Sequence, residues 1–193
     1  KDHPNVATLV NNIGMVLKAL GDLQGAKEYY ERALRIDEKT YGTEHPNVAI
    51  RVNNIGGVLL ALGDLQGAKE YLERALRIFE IHLGKDHPNV ATLVNNIGMV
   101  LKDLGDLQGA KEYYERALRI DEKTYGTEHP DVAIDVSNIG GVLLALGDLQ
   151  GAKEYYERAL RIFEKFLGPD HPNTQIARKN LQICIDEINR SNS

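Results

Sequence analysis

Residues 1–42, KDHPNVATLVNNIGMVLKALGDLQGAKEYYERALRIDEKTYG, return as residues 85–126 with one change, Ala19 becoming Asp103. Looser copies fill 43–84 and 127–168, and a fifth starts at Pro169 and runs for about one helix. A fixed period of this size marks a solenoid. Each unit has too few residues to bury its own apolar face and must bury it on its neighbours. Length alone, 193 residues, would suggest one or two domains. The repeat instead predicts a single array over 1–193, with units 1–42, 43–84, 85–126 and 127–168 and a C-terminal half unit, 169–193.

Within one unit the punctuation predicts two helices. Pro4 suits a first helical position, where its missing N–H would have no partner in any case. A first helix, A, is expected from about Pro4 to Leu20, with Val6, Val10, Ile13, Leu17 and Leu20 spaced along one face at steps of three and four. Gly14 lies on that face and admits a close neighbour. Gly21 supplies the left-handed residue that ends helix A, and Asp22 the N-cap of a second helix, B. Helix B is expected from about Leu23 to Tyr41, with Ala26, Tyr30, Ala33, Leu34 and Asp37 or Tyr41 inward. Glu28–Arg32 and Glu31–Arg35 support it from outside as i,i+4 pairs. Gly42 closes it. No stretch carries a strand signal, so the chain is all-α.

Composition narrows the function. Hydrophobic residues make up 42% and charged residues 26%, ordinary proportions for a soluble protein. The formal net charge is −5 with basic residues spread through every unit, which gives nucleic acid no basic stripe to bind. Apolar runs such as 58–62 are too short to span a bilayer, so no membrane partner is expected. The start at Lys1, without Met, reads as a cut from a longer array. Cys184 is the only cysteine; it lies among Leu181, Ile183, Ile185 and Ile188 as a small buried or half-buried apolar residue, and its solitude fits a cytoplasmic protein.

The order Gly14, Gly21, Ala26, Tyr30, Ala33, Leu34 resembles the tetratricopeptide repeat pattern. The ordinary unit has about 34 residues; here helix B continues through IDEKTYG, adding about 12 Å at about 1.5 Å per residue. This long form, with HP-x-VA, NN, RAL-x-I and a closing Gly, resembles the repeats of kinesin light chains and their prokaryotic relatives. The resemblance implies a right-handed superhelix of helix-turn-helix units, four repeats and a C-terminal capping helix, whose concave groove is lined by A helices and holds a peptide or partner segment. The heptad coiled coil that joins a light chain to its motor is absent. Tetratricopeptide domains that clamp a C-terminal carboxylate use Lys and Asn four residues apart on helix A. Here the corresponding pairs are Asn11/Met15, Asn53/Gly57, Asn95/Met99 and Ser137/Gly141, none with Lys.

With Val10, Ile13, Gly14 and Leu17 given to the core, the opposite face of helix A becomes the candidate binding surface. Unit one offers Thr8, Asn11, Asn12, Met15, Lys18 and Ala19. Unit two offers Ile50, Asn53, Asn54, Gly57, Leu60 and Ala61. Unit three repeats the first as Thr92, Asn95, Asn96, Met99, Lys102 and Asp103, and unit four gives Ile134, Ser137, Asn138, Gly141, Leu144 and Ala145. Odd units are polar there and even units apolar, an 84-residue register. An Asn carries both donor and acceptor and can bond the backbone of an extended peptide. The resemblance carries that role first to Asn11, Asn53 and Asn95. The row Asn12, Asn54, Asn96 and Asn138 serves either the groove or bonds between helices. Ile50, Leu60, Ile134 and Leu144 form an apolar row of the kind that marks an interaction site or fills a tight inner curve.

Nothing in the pattern calls for a catalyst, a cofactor or a metal. His3, His45, His87, His129 and His171 each precede a Pro at a unit boundary and read as loop and capping residues, while His82 stands alone. No Ser/His/Asp or Cys/His motif is evident. Catalytic sites are singular, whereas units one and three are nearly identical. Two functions remain: a scaffold that binds a peptide or protein segment in its groove, or an array that associates with itself. The second is favoured by the ends, since Arg178, Lys179, Asp186, Glu187 and Arg190 give the last half unit a polar outer side while unit one has no such cover.

Overall fold

The computed structural model describes residues 4–191, the side chain of Pro4 excepted. Among the described residues there are nine α-helices and no strand. The chain divides into two compact units, Lys1–Leu104 and Gly105–Ser193. The first holds α1 (Pro4–Ala19), α2 (Leu23–Tyr41), α3 (Pro46–Leu62), α4 (Leu65–Leu83) and α5 (Pro88–Asp103). The second holds α6 (Leu107–Tyr125), α7 (Pro130–Leu146), α8 (Leu149–Leu167) and α9 (Pro172–Ser191). Odd-numbered helices are A helices and even-numbered ones B helices. The division falls between the two helices of the third repeat, and each unit is a tetratricopeptide-type stack of helix-turn-helix pairs.

Local chemistry sets the helix ends. At the start of α3, His45 is the N-cap: its Nδ1 accepts from the Asn47 N–H at 3.1 Å, and Pro46 takes the next place. His87, His129 and His171 accept in the same way from residues 89, 131 and 173. His3 lies outside the described residues. At the other end of α3, Gly63 is left-handed, with φ 82. Its N–H bonds Leu60 O and the Asp64 N–H bonds Leu59 O, which closes the helix in a Schellman turn. Asp64 then accepts from the Gly67 N–H at 2.9 Å and opens α4. Two residues, Gly63 and Asp64, thus end one helix and begin the next, and the pair folds back antiparallel.

An A helix that follows another repeat has two buried faces. One packs on the B helix of its own repeat: a Cβ on Gly56 would lie 2.8 Å from Leu72 Cγ of α4, so only glycine allows this approach. Gly14 stands in the same relation to Tyr30 of α2. The other face meets the preceding repeat. In α3 it carries Arg51, Ile55 and Val58, and in α5 Leu93, Ile97 and Val100, all buried. In α1 the equivalents Leu9, Ile13 and Val16 are exposed, Leu9 by 63% and Val16 by 59%. Ile13 and Leu20, expected in the core, are outside it. For Ile13 the three-and-four spacing does not distinguish a face covered by a helix's own partner from one that needs a preceding repeat, whereas Leu20 is exposed like its counterparts Leu62, Leu104 and Leu146. On the inner side of helix B, Asp37 is buried and Tyr41 is exposed, its ring stacked on His45 at 4.5 Å. At the far end α9 buries Thr174, Ala177 and Cys184 and leaves Gln175, Arg178 and Gln182 exposed, the arrangement of a capping helix.

Candidate functional site

Within each unit the A helices form the layer that carries the expected binding residues. α3 approaches α5, and α7 approaches α9, in addition to their packing on B helices. Between α1 and α3 the Asn54 amide donates to Asn11 Oδ1 at 2.8 Å, and Asn11 is 5% exposed. The two expected Asn rows therefore meet here in a bond between helices. Asn53 is half-buried, and its Oδ1 is buried with no hydrogen-bond donor. Asn95, Asn96, Ser137 and Asn138 are half-buried, whereas Thr8, Asn12, Met15, Lys18, Thr92, Met99 and Lys102 are exposed. The Lys18 ammonium lies over Gly57, 3.4 Å from where a Cβ would stand. Ile50 and Ile134 are exposed and Leu60 and Leu144 half-buried.

The same small pocket occurs in both units. In the first, Ile50 and Asn53 of α3, Phe79 of α4, and Asn89, Thr92 and Leu93 of α5 enclose about 180 Å³. In the second, Ile134, Ser137 and Asn138 of α7, Phe163 of α8, and Asn173 and Ile176 of α9 enclose about 150 Å³. Residues 50 and 134, 79 and 163, and 89 and 173 are each 84 apart. Sites for metabolites and cofactors usually measure roughly 300–1,000 Å³, so each pocket suits one side chain rather than a free small molecule. The B-helix contribution, Phe79 and Phe163, escaped the sequence reading. The signal was present: the same place reads Asp37, Phe79, Asp121, Phe163 along the four units.

Where that place is Asp, the joint is polar. Arg51 Nε donates to Asp37 Oδ2 at 2.8 Å with both side chains buried. At the corresponding joint of the second unit Asp121 faces Asp135. Burial first, and the charge of Asp131 second, raise the Asp121 carboxyl to about 6. Burial first, and Asp121 second, raise Asp135 to about 8. Cys184 is fully buried, its Sγ donates to Leu149 O at 3.2 Å, and burial pushes its thiol up. His82 Nε2 donates to Glu44 O at 2.7 Å. Among the described residues no three His, Cys, Asp or Glu side chains gather as a metal site, and no helix is long and apolar enough to cross a membrane.

The tetratricopeptide repeat family model matches residues 5–81, 51–123, 89–135 and 133–190. The chain belongs to the tetratricopeptide repeat family. Solved structures similar to it include two crystal structures of a Podosopora anserina protein designated a kinesin light chain with nearly identical TPR-like repeats. One, of a substituted form, is 25% identical at a TM-score of 0.83, over 97% of this chain and 89% of that one. The other gives the same identity and TM-score over 98% and 90%. BtubC, also called BKLC, from P. vanneervenii is 29% identical at a TM-score of 0.79, over 88% of this chain and 68% of its own. Comparison with curated proteins gave no match. The repeats are thus kinesin light chain-like, and repeats of this family mediate contact between proteins and serve as scaffolds.

Proposed function

We propose that the chain is a scaffold that holds a peptide or an extended segment of a partner protein along its A helices, and that it binds this ligand without reacting with it. The observation that carries the reading is the recurrence of one side-chain-sized pocket in both units, walled by Ile50 and Phe79 in the first and by Ile134 and Phe163 in the second. An apolar side chain of the ligand enters each pocket, and Asn53 or Asn138 at its wall bonds the ligand backbone. A cytoplasmic place of action goes with this reading, as is common in the family. The test is a peptide-array screen followed by titration against Ile50→Glu and Ile134→Glu variants. Both side chains are partly exposed, so the fold should tolerate the change. Filling a pocket with a charge should weaken binding at least about tenfold, the loss of one buried aliphatic side chain. Wild-type affinity in both variants would remove the pockets from the site.

A second reading, association of copies through α1, rests on Leu9, Val16 and Leu20, exposed by 63%, 59% and 78%. The α3 counterparts of the first two, Arg51 and Val58, are buried under α2. Covering such side chains is worth about 1.5–3 kcal/mol each. Sedimentation velocity over a wide concentration range decides it: a mass that rises with concentration supports association, and a constant monomer mass ends it.

A further inference from the structure

Two joints in the molecule present the same Asp of helix B to different partners. Asp37 on α2 meets Arg51 on α3, and Asp121 on α6 meets Asp135 on α7. Both pairs are buried: Asp37 and Arg51 are 1% and 7% exposed, Asp121 and Asp135 are 9% and 2%. The first pair is a complete ion pair. The second sets two buried carboxyls at the places that Asp37 and Arg51 hold in the first, where the charge of Asp121 helps to raise Asp135. Asp135 Oδ2 is buried and no donor faces it. An oxygen so placed is stable only when it carries the proton itself, because an ionised one would lie unsolvated beside another negative charge.

The surroundings do not supply the missing cation. Glu122 of α6 and Asp131 in the first turn of α7 add negative potential at the pair, and the His129 cap opposes it only at Asp121. From α8, Arg158 is engaged by Glu122 Oε1 and by the Thr127 carbonyl. The residue that fills this role at the other joint, Arg51, has been replaced here by Asp135 within an otherwise similar helix.

We propose that Asp121 and Asp135 share one proton across the α6–α7 joint and act as a pH-sensitive latch. With the proton held between them the two helices stay packed; when it passes to solvent, the two carboxylates repel and the joint loosens. Asp135 directly follows Ile134, so a shift of α7 also moves one wall of the Phe163 pocket. The folded chain holds this proton more tightly than the unfolded chain. Stability is therefore full at acid pH, falls as pH rises from the ordinary carboxyl range through about 6 and about 8, and loses nothing further from this pair beyond that.

The experiment uses the full chain with its Asp side-chain carboxyl carbons labelled for NMR, together with urea unfolding at pH about 5 and about 9. One carboxyl of the wild type should titrate well above the usual range. The unfolding constant should rise at least about tenfold more between the two pH values in wild type than in Asp135→Asn, since one unit of differential proton affinity is a factor of ten. Asp135→Arg, which rebuilds the Asp37–Arg51 arrangement, should likewise hold its stability into alkaline pH. Two results would overturn the proposal: every Asp titrating near 4, the ordinary value, or an Asn variant with the pH dependence of wild type. The NMR titration needs no variant, so a substitution that disturbs folding leaves the proposal open to refutation.

Discussion

Replacing Arg51 with Leu asks what holds the first polar joint together. Leu already stands at the matching place in α5, as Leu93, so its shape fits the helix. The loss is the guanidinium that bonds Asp37 at 2.8 Å. Asp37 is 1% exposed, so its carboxylate is left buried without a partner. Halving a buried pair in this way usually costs about 3–5 kcal/mol, and that is the deficit expected at neutral pH. The double variant Arg51→Leu/Asp37→Phe copies the Phe79 and Leu93 pairing found at the next joint. It should return to within about 1 kcal/mol of wild type or exceed it, because a packed apolar pair commonly matches a buried ion pair. Urea unfolding followed by circular dichroism gives both numbers. A single variant less than about 1 kcal/mol below wild type, or a double variant no better than the single, would refute the reasoning.

Two further substitutions test the local rules. Gly56→Ala places a Cβ 2.8 Å from Leu72 Cγ and 3.4 Å from Ala68 O, and overpacking should cost about 1–3 kcal/mol despite the better helix propensity of Ala; a gain in stability in the urea curve would show that α3 and α4 part freely. Asp64→Ala removes the acceptor of the Gly67 N–H at 2.9 Å and should lower stability by about 0.5–2 kcal/mol, with amide exchange faster in the first turn of α4 than elsewhere; an unchanged exchange pattern there would mean that the cap is not what opens the helix.

Much of the fold could be read from the chain because its helix ends are local. Gly21, Asp22, Gly42 and the His-Pro pairs act on backbone groups within four residues of themselves. The observed α2 runs from Leu23 to Tyr41 as its caps predict. Faces proved harder to read. Ile13 and Ile55 occupy the same register, yet Ile55 is buried and Ile13 is not, because burial there depends on a helix that precedes the repeat. Asn11 and Asn54 belong to different rows on paper and meet as donor and acceptor only once α1 and α3 lie side by side. Their distance in sequence, 43 residues, gives no hint of it.

The deepest gap concerns one place on helix B. The 84-residue register was visible on helix A, where odd units are polar and even ones apolar, but the matching alternation Asp37, Phe79, Asp121, Phe163 decides what each joint is made of. An Asp there reaches across to residue 51 or 135, fourteen positions further along the chain. That contact crosses a helix end and a turn, so neither a helical nor a repeat period points to it. A Phe there walls a pocket of about 180 Å³ or about 150 Å³ instead. Backbone geometry thus follows the 42-residue period while joint chemistry follows twice that. One departure from both, Asp135 where the register calls for Arg, stands where we place the shared proton of two buried carboxyls. In a near-perfect repeat, function is best sought at the positions that break its period, because packing alone gives no reason for them to differ.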